Sequence, residues 1–230
     1  MVKKMDNSPS FLYLLLLLIG ICGGLAIGSW KNLCSDCPSV AQIRTFESEQ
    51  TSKLFSHDGK LLVEIGIERR TPVSLEILPR YVSEAFIAVE DKRFYQHRGI
   101  DPLGLTRAII GVLTGRNRGG GSTITQQLAR NMFEDQIGFE KRVIRKLKEL
   151  QVAFDLERSY TKDEILEAYI NEINYGHGWW GIQTASRNYY GKNASELDVS
   201  EAALLASIPN RPAFYSPFVN PVNAKRRRNL

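Results

Sequence analysis

Glu90-Asp91-Lys92-Arg93-Phe94-Tyr95-Gln96-His97-Arg98-Gly99, followed by Gly120-Gly121-Ser122-Thr123-Ile124-Thr125-Gln126-Gln127-Leu128-Ala129-Arg130-Asn131, is the stretch from which the rest of the chain is best read. The first segment closes a run in which Val82, Ala85, Phe86 and Val89 recur at helical spacing, so a helix delivers Glu90 at its end. The second puts Ser122, Gln126 and Arg130 on one helical stripe, with Thr123 at its start and Gln127 and Asn131 beside it. Ile124, Leu128 and Met132 take the apolar side. The glycines before Ser122 let the backbone approach a ligand closely. A helix opening at Ser122 would offer free N–H groups and a positive dipole end, which suits a sugar or a phosphate. Ordinary core packing does not ask for this density of specific polar groups, and the two segments read as half of an active site.

Working outward, helical patterns continue in both directions. Asp101 caps a helix with Pro102 at its first position and Gly115 beyond its end, carrying Leu105, Ile109, Val112 and Leu113 as an apolar stripe with Arg107 beside it. That stripe fits either a core helix or one resting on a membrane surface. A further helix is expected from about Phe139 to Glu157 with Val143, Leu147, Leu150 and Phe154 on its apolar side. Arg142, Arg145, Lys146 and Glu149 lie opposite. Thr161-Lys162-Asp163-Glu164 is a capping box ahead of Ile165, Leu166, Tyr169, Ile170 and Ile173, and Asp198 with Glu201 opens a helix that stops before Pro209. Upstream, Leu54-Phe55 and Leu61 to Ile65 flank Asp58-Gly59, a hairpin signal. With no βαβ alternation, the class is mainly α, a helical globule with a small N-terminal β element.

The first 50 residues are of another kind. Phe11 to Ser29 is apolar or small throughout, with no charge between Asp6 and Lys31, long enough to cross a bilayer as a helix. A cleaved signal peptide would have a shorter apolar core, and no Ala-x-Ala follows this run, so a retained span is favoured. The division is a tail at 1–10, a transmembrane helix at 11–29, a polar linker at 30–50 and a domain at 51–230. Lys3 and Lys4 before the span nearly balance Lys31 and Arg44 after it, so charge does not orient it. Cys34 and Cys37 read as a local disulfide or as two idle thiols, and no metal site is assigned. The net charge of +5 suits anionic lipid or a phosphate-bearing substrate. Nucleic acid is not expected, because the only dense basic run is Lys225 to Arg228.

Taken together, these motifs closely resemble the peptidoglycan glycosyltransferase (family 51) domain of class A penicillin-binding proteins and monofunctional transglycosylases. Glu90, Asp91, Phe94, His97 and Gly99 match its first motif, and Gly120 to Gln127 its second. Arg145, Lys146 and Glu149 match the third, Lys162 to Asn171 resembles the fourth, and Ala202 to Pro217 the fifth. The likeness covers about residues 54–229 in the family's order. It implies a lysozyme-like fold and polymerisation of lipid II, a disaccharide-peptide on a polyprenyl diphosphate, into β-1,4 glycan with inversion.

The resemblance gives Glu90 the role of general base and Glu149 that of second carboxylate. Glu149 would assist departure of the leaving group directly, through a cation, or by holding the basic residues; the residues alone leave these three open. Ser122, Thr123, Gln126, Gln127, Arg130, Asn131, Arg145 and Lys146 become substrate-binding, and Asp91, Phe94, His97 and Gly99 structural supports of the site. No cofactor is required, and a divalent cation, magnesium or manganese, is compatible with such chemistry. Implied partners are lipid II, the growing strand, the bilayer and other wall-synthesis proteins. The implied location is the bacterial inner membrane, single-pass, with the domain on the periplasmic or extracellular side. Bifunctional relatives continue into a transpeptidase domain, so the domain is expected to be C-terminally truncated relative to them. Two rival readings are a lysozyme-like hydrolase cutting the same glycan and a non-catalytic membrane scaffold. The basic residues and the Ser-Thr-Ile-Thr-Gln-Gln helix argue against the first, and intact Glu90 and Glu149 against the second.

Overall fold

A computed structural model of the chain describes residues 52–65, 71–115, 120–134 and 142–229, with single positions before residue 41. The tail at 1–10, most of the expected span at 11–29 and most of the linker lie outside the described residues. Among the described residues, no helix is long and apolar enough to cross a membrane. Cys37 is disulfide-bonded, so it is not an idle thiol; Cys34 lies outside the described residues.

The β element is a two-stranded antiparallel hairpin, β1 (Ser52–Phe55) and β2 (Leu61–Ile65). The helices that follow are α1 (Arg80–Glu90), α2 (Pro102–Leu113), α3 (Ile124–Met132), α4 (Arg142–Ser159) and α5 (Lys162–Glu172). Then come α6 (Ile182–Tyr190), α7 (Val199–Ser207), α8 (Pro212–Tyr215) and α9 (Pro221–Arg228). The domain is mainly helical. Its core forms where α3 packs against α4 and α5, and where α1 and α9 pack against α7. Phe86 of α1 meets Tyr169 and Tyr175 edge-on, with ring centres 6.2 Å apart in each pair, and all three side chains are fully buried.

The two expected capping boxes close as the local chemistry requires. Thr161 Oγ1 accepts from Glu164 N and Glu164 Oε2 from Thr161 N, at 3.2 and 2.8 Å. Asp198 and Glu201 exchange the same pair of bonds ahead of α7. Each box satisfies donors that a helix start otherwise leaves unpaired.

The face of α4 departs from the hydropathy reading. Val143 is 73% exposed, whereas Lys148, Glu149, Val152, Ala153 and Leu156 are buried. The inward stripe therefore runs Glu149, Val152, Ala153, Leu156. A carboxylate can be buried when its charge is met by cations, and counting apolar residues assigns such a position to the outside. Helix α6 lies outside the sequence reading: its buried face holds Gln183, Thr184 and Ser186 beside Ile182 and Ala185.

One buried ion pair joins four parts of the fold. Glu157 Oε1, on a side chain 5% exposed, accepts from Thr125 Oγ1 of α3 at 2.6 Å and from Lys162 Nζ of α5 at 2.7 Å. The Lys162 ammonium lies 4.3 Å from the centre of the Phe94 ring. Replacing Lys162 with methionine leaves a buried carboxylate with one neutral donor and is expected to destabilise the domain by about 3–5 kcal/mol. The companion double change Glu157→Gln with Lys162→Met recovers much of that loss. Denaturant midpoints measure both; a loss below about 1 kcal/mol for the single variant would mean that Glu157 is solvated.

Candidate active site

Glu90 is the last residue of α1, and its side chain is 5% exposed. Gln127 Nε2 of α3 donates to its Oε2 at 2.9 Å. The other oxygen, Oε1, makes no hydrogen bond and faces Arg227 Nη2 at 3.8 Å. Glu90 lines a cavity of about 370 Å³ whose wall also holds Ser122, Thr123, Gln127 and Arg130. Lys92, Arg107 and Arg227 add positive charge to the same wall. Burial raises the Glu90 carboxyl above the ordinary carboxylate value; the Gln127 hydrogen bond and the nearby Arg227 and Arg130 offset part of that rise.

The segment after Glu90 is tied to α3 and α4. His97 Nε2 donates to both oxygens of Asp91, at 2.9 and 3.0 Å, and Ile124 N donates to Asp91 Oδ2 at 3.1 Å. Gly99 O accepts from Thr123 Oγ1 at 2.7 Å and from Gln126 Nε2 at 2.9 Å. Gly99 has φ +78°, and a Cβ there would lie 3.3 Å from the backbone of Ala153, so a side chain would be both strained and crowded. Phe94 is fully buried, with its ring centre 6.3 Å from that of His97.

The start of α3 is not open as the sequence suggested. Thr123, rather than Ser122, is the cap, its hydroxyl accepting from Gln126 N at 3.3 Å. With Ile124 N held by Asp91, the chain's own side chains take donors at this helix head that had been assigned to a ligand. Ser122 stands just outside the helix and joins a second layer through Lys146. Lys146 Nζ donates to Ser122 Oγ, Gln126 Oε1 and Glu149 Oε2 at 2.9, 2.8 and 2.9 Å. Arg145 Nε approaches Glu149 Oε1 at 3.6 Å, and the Glu149 side chain is only 3% exposed. Gln126 is 2% exposed, with its amide engaged by Gly99 and Lys146, so it braces the wall rather than facing the cavity.

Arg130 and Gln127 also border a second, smaller cavity of about 200 Å³, with Asn131, Glu134, Asn174 and Trp180. Tyr169 OH donates to Gln127 Oε1 at 3.3 Å, which fixes the amide that faces Glu90. Asn171 exchanges hydrogen bonds with Val73, at 2.8 and 3.0 Å, away from the cavities. The structure thus brings Glu90, Ser122, Thr123, Gln127 and Arg130 to one wall. It places Arg145, Lys146 and Glu149 in a connected layer behind. Sequence reasoning left Arg227 out of the site, although Asn220 to Arg228 matches the family's Asn-Pro-x-x-Ala-x-x-Arg-Arg stretch; it stands one turn after the buried Ala224 on α9.

A buried carboxylate can take a proton, and the cations lining the cavity beside it can meet a departing anion. The family model described as Transglycosylase matches residues 58–230. Penicillin-binding protein 1F of Bacillus subtilis is 47% identical over 180 residues, 78% of this chain and 25% of that protein. Penicillin-binding protein 1A of Vibrio cholerae is 42% identical over 88% of this chain and 24% of its own length. Penicillin-binding protein 1A of Escherichia coli is 38% identical over 96% and 26%. The chain spans about a quarter of the length of these relatives. Among solved structures, the crystal structure of penicillin-binding protein 1A from Haemophilus influenzae covers 80% of this chain and 17% of that one, at 25% identity and a TM-score of 0.42. The chain belongs to the transglycosylase family, the family 51 glycosyltransferase domain of class A penicillin-binding proteins.

Proposed function

We propose that this domain, a lysozyme-like helical globule, polymerises lipid II into β-1,4 glycan strands with inversion at the anomeric carbon, releasing polyprenyl diphosphate. The observation that carries the reading is the buried Glu90 carboxylate opening onto a cavity walled by Lys92, Arg107, Arg130 and Arg227. Glu90 takes the proton from the acceptor's 4-hydroxyl as that oxygen forms its bond to the donor's anomeric carbon. The bond from that carbon to the diphosphate oxygen breaks, and its electrons leave with the diphosphate. The proton ends on Glu90. Fixing acceptor and donor on one wall supplies much of the rate, and cations near the leaving group stabilise the charge that builds there.

Glu149 supports this chemistry by holding Lys146 and Arg145 rather than by meeting substrate, since both of its oxygens face those cations. Asp91 and His97 keep the Glu90 segment on α3. Among the described residues, no group of three His, Cys, Asp or Glu is arranged to hold a metal ion. A divalent cation, if used, would be met mainly by the substrate's own diphosphate.

The substrate's polyprenyl tail stays in a bilayer, and α2 supplies a surface for it. Leu103, Leu105, Ile109, Ile110 and Leu113 are all exposed, between 45 and 80%. An exposed apolar face of this kind beside the cavity residues Gly104 and Arg107 fits a helix lying in the membrane surface. In this reading a retained span at 11–29 anchors the domain on the wall side of the membrane. The test is incubation of the purified chain with labelled lipid II in detergent. Muramidase-sensitive polymer is the expected product; shortening of preformed glycan without new polymer would favour the hydrolase instead.

A further inference from the structure

The C-terminal helix was no part of the sequence-level site, yet it brings a cation to the base. Ala224 of α9 is 1% exposed, and Arg227, one turn on, enters the cavity wall from the same face. Its side chain is 23% exposed, its Nε is buried without a hydrogen bond, and its Cζ lies 5.7 Å from the centre of the Tyr215 ring. Nη2 stands 3.8 Å from Glu90 Oε1. The two oxygens of Glu90 are thereby divided. A neutral amide from Gln127 holds Oε2, while Oε1 has a positive charge in front of it and no donor bound to it. Oε1 is therefore the oxygen whose charge is met by a cation rather than by a hydrogen bond.

We infer that Arg227 is a positioning residue for Glu90, its guanidinium supplying the counter-charge that faces Oε1 of the base at the cavity wall. The inference rests on Glu90 being the base of sugar transfer. The groups around that carboxylate are Gln127 and Arg130 from α3, Tyr169 from α5, Arg227 from α9 and Asp91 next along the chain. Among the described residues, Arg227 is the cation that reaches ion-pair distance from it. Tyr215 fixes the approach: its ring lies beside the guanidinium, and α8 and α9 pack together. An arginine suits this position because its planar fork can lie against a ring while one nitrogen faces a carboxylate.

The test compares the full chain with Arg227→Gln and Arg227→Lys. Carboxyl-carbon NMR follows the titration of Glu90, assigned by the signal lost in Glu90→Gln, alongside pH profiles of lipid II polymerisation. Removing the charge is expected to move the Glu90 titration up by about one pH unit. The acidic limb of kcat/KM should move with it, with a larger change in kcat than in KM, while Arg227→Lys keeps most of the parent behaviour. Arg227→Met, which retains the apolar stem, serves where the glutamine variant does not fold. An unmoved Glu90 titration in a folded, uncharged variant would overturn the proposal. A parent chain that makes no polymer, but whose Glu90 still shifts when the charge is removed, would sink the transfer reading and the positioning role that rests on it, leaving the ion pair alone.

Discussion

Replacing Glu90 with glutamine is expected to lower lipid II polymerisation by about 10²–10⁴-fold, the range that a positioned general base supplies. The change is close to isosteric, and an amide oxygen can keep the hydrogen bond from Gln127 that Oε2 now accepts. What disappears is the capacity to take a proton. Stability should move the other way. Burial raises the Glu90 carboxyl, so the folded state disfavours its charged form. Its contribution to stability is present below the ordinary carboxylate value and is lost as pH rises through the raised one. Catalysis needs the ionised form, so the rate falls as pH drops through that raised value. Activity and stability therefore oppose each other over the same acidic window. At neutral pH the glutamine variant is expected to unfold at no lower denaturant concentration than the parent. Full turnover in the variant would refute the base assignment, and a large stability loss would show that the charge is structural.

The second large effect is expected at Lys146. Its ammonium gathers Ser122, Gln126 and Glu149, so one side chain joins the cavity wall to the buried carboxylate behind it. Lys146→Met removes three donors at once. Glu149 keeps Arg145 at 3.6 Å as its neighbour, and the cost is expected to be about 1–3 kcal/mol. The lower range applies because the Lys146 side chain is 40% exposed. Turnover is expected to fall by about 10²–10³-fold, as when a preorganised charge-stabilising donor is lost. The double variant Lys146→Met with Glu149→Gln separates the two roles. Neutralising Glu149 should restore most of the stability and none of the activity. Recovery of both would place Lys146 outside the chemistry; recovery of neither would point to a displaced Ser122 segment.

Much of the helical layout was legible because its signals are local. Thr161 with Glu164 and Asp198 with Glu201 mark helix starts within four residues, and Asp58-Gly59 marks the hairpin. The candidate residues on α1 and α3 could likewise be read from spacing. What could not be read depends on distant partners. Glu149 is buried with Lys146 and Arg145 meeting its charge, and that shifts the inward face of α4 from the one expected from apolar residues. Gln183, Thr184 and Ser186 share the buried side of α6 with Ile182 and Ala185, so counting apolar residues alone understates that helix. Nothing near Asp91 announces that its carboxylate will cap a helix 33 residues later. Arg227 is one of a run of basic residues, and only packing against α7 and α8 selects which of them turns inward.

The capping of α3 by Asp91 bears on how a product can leave. A fixed peptide dipole grips an anion as firmly after bond cleavage as before it. Here that dipole is engaged within the chain, so attraction for a diphosphate falls to arginine and lysine side chains around the cavity. Such groups can follow the departing anion outward and exchange it for water one contact at a time. A site built this way would hold an anion through side chains that can move rather than through fixed backbone donors.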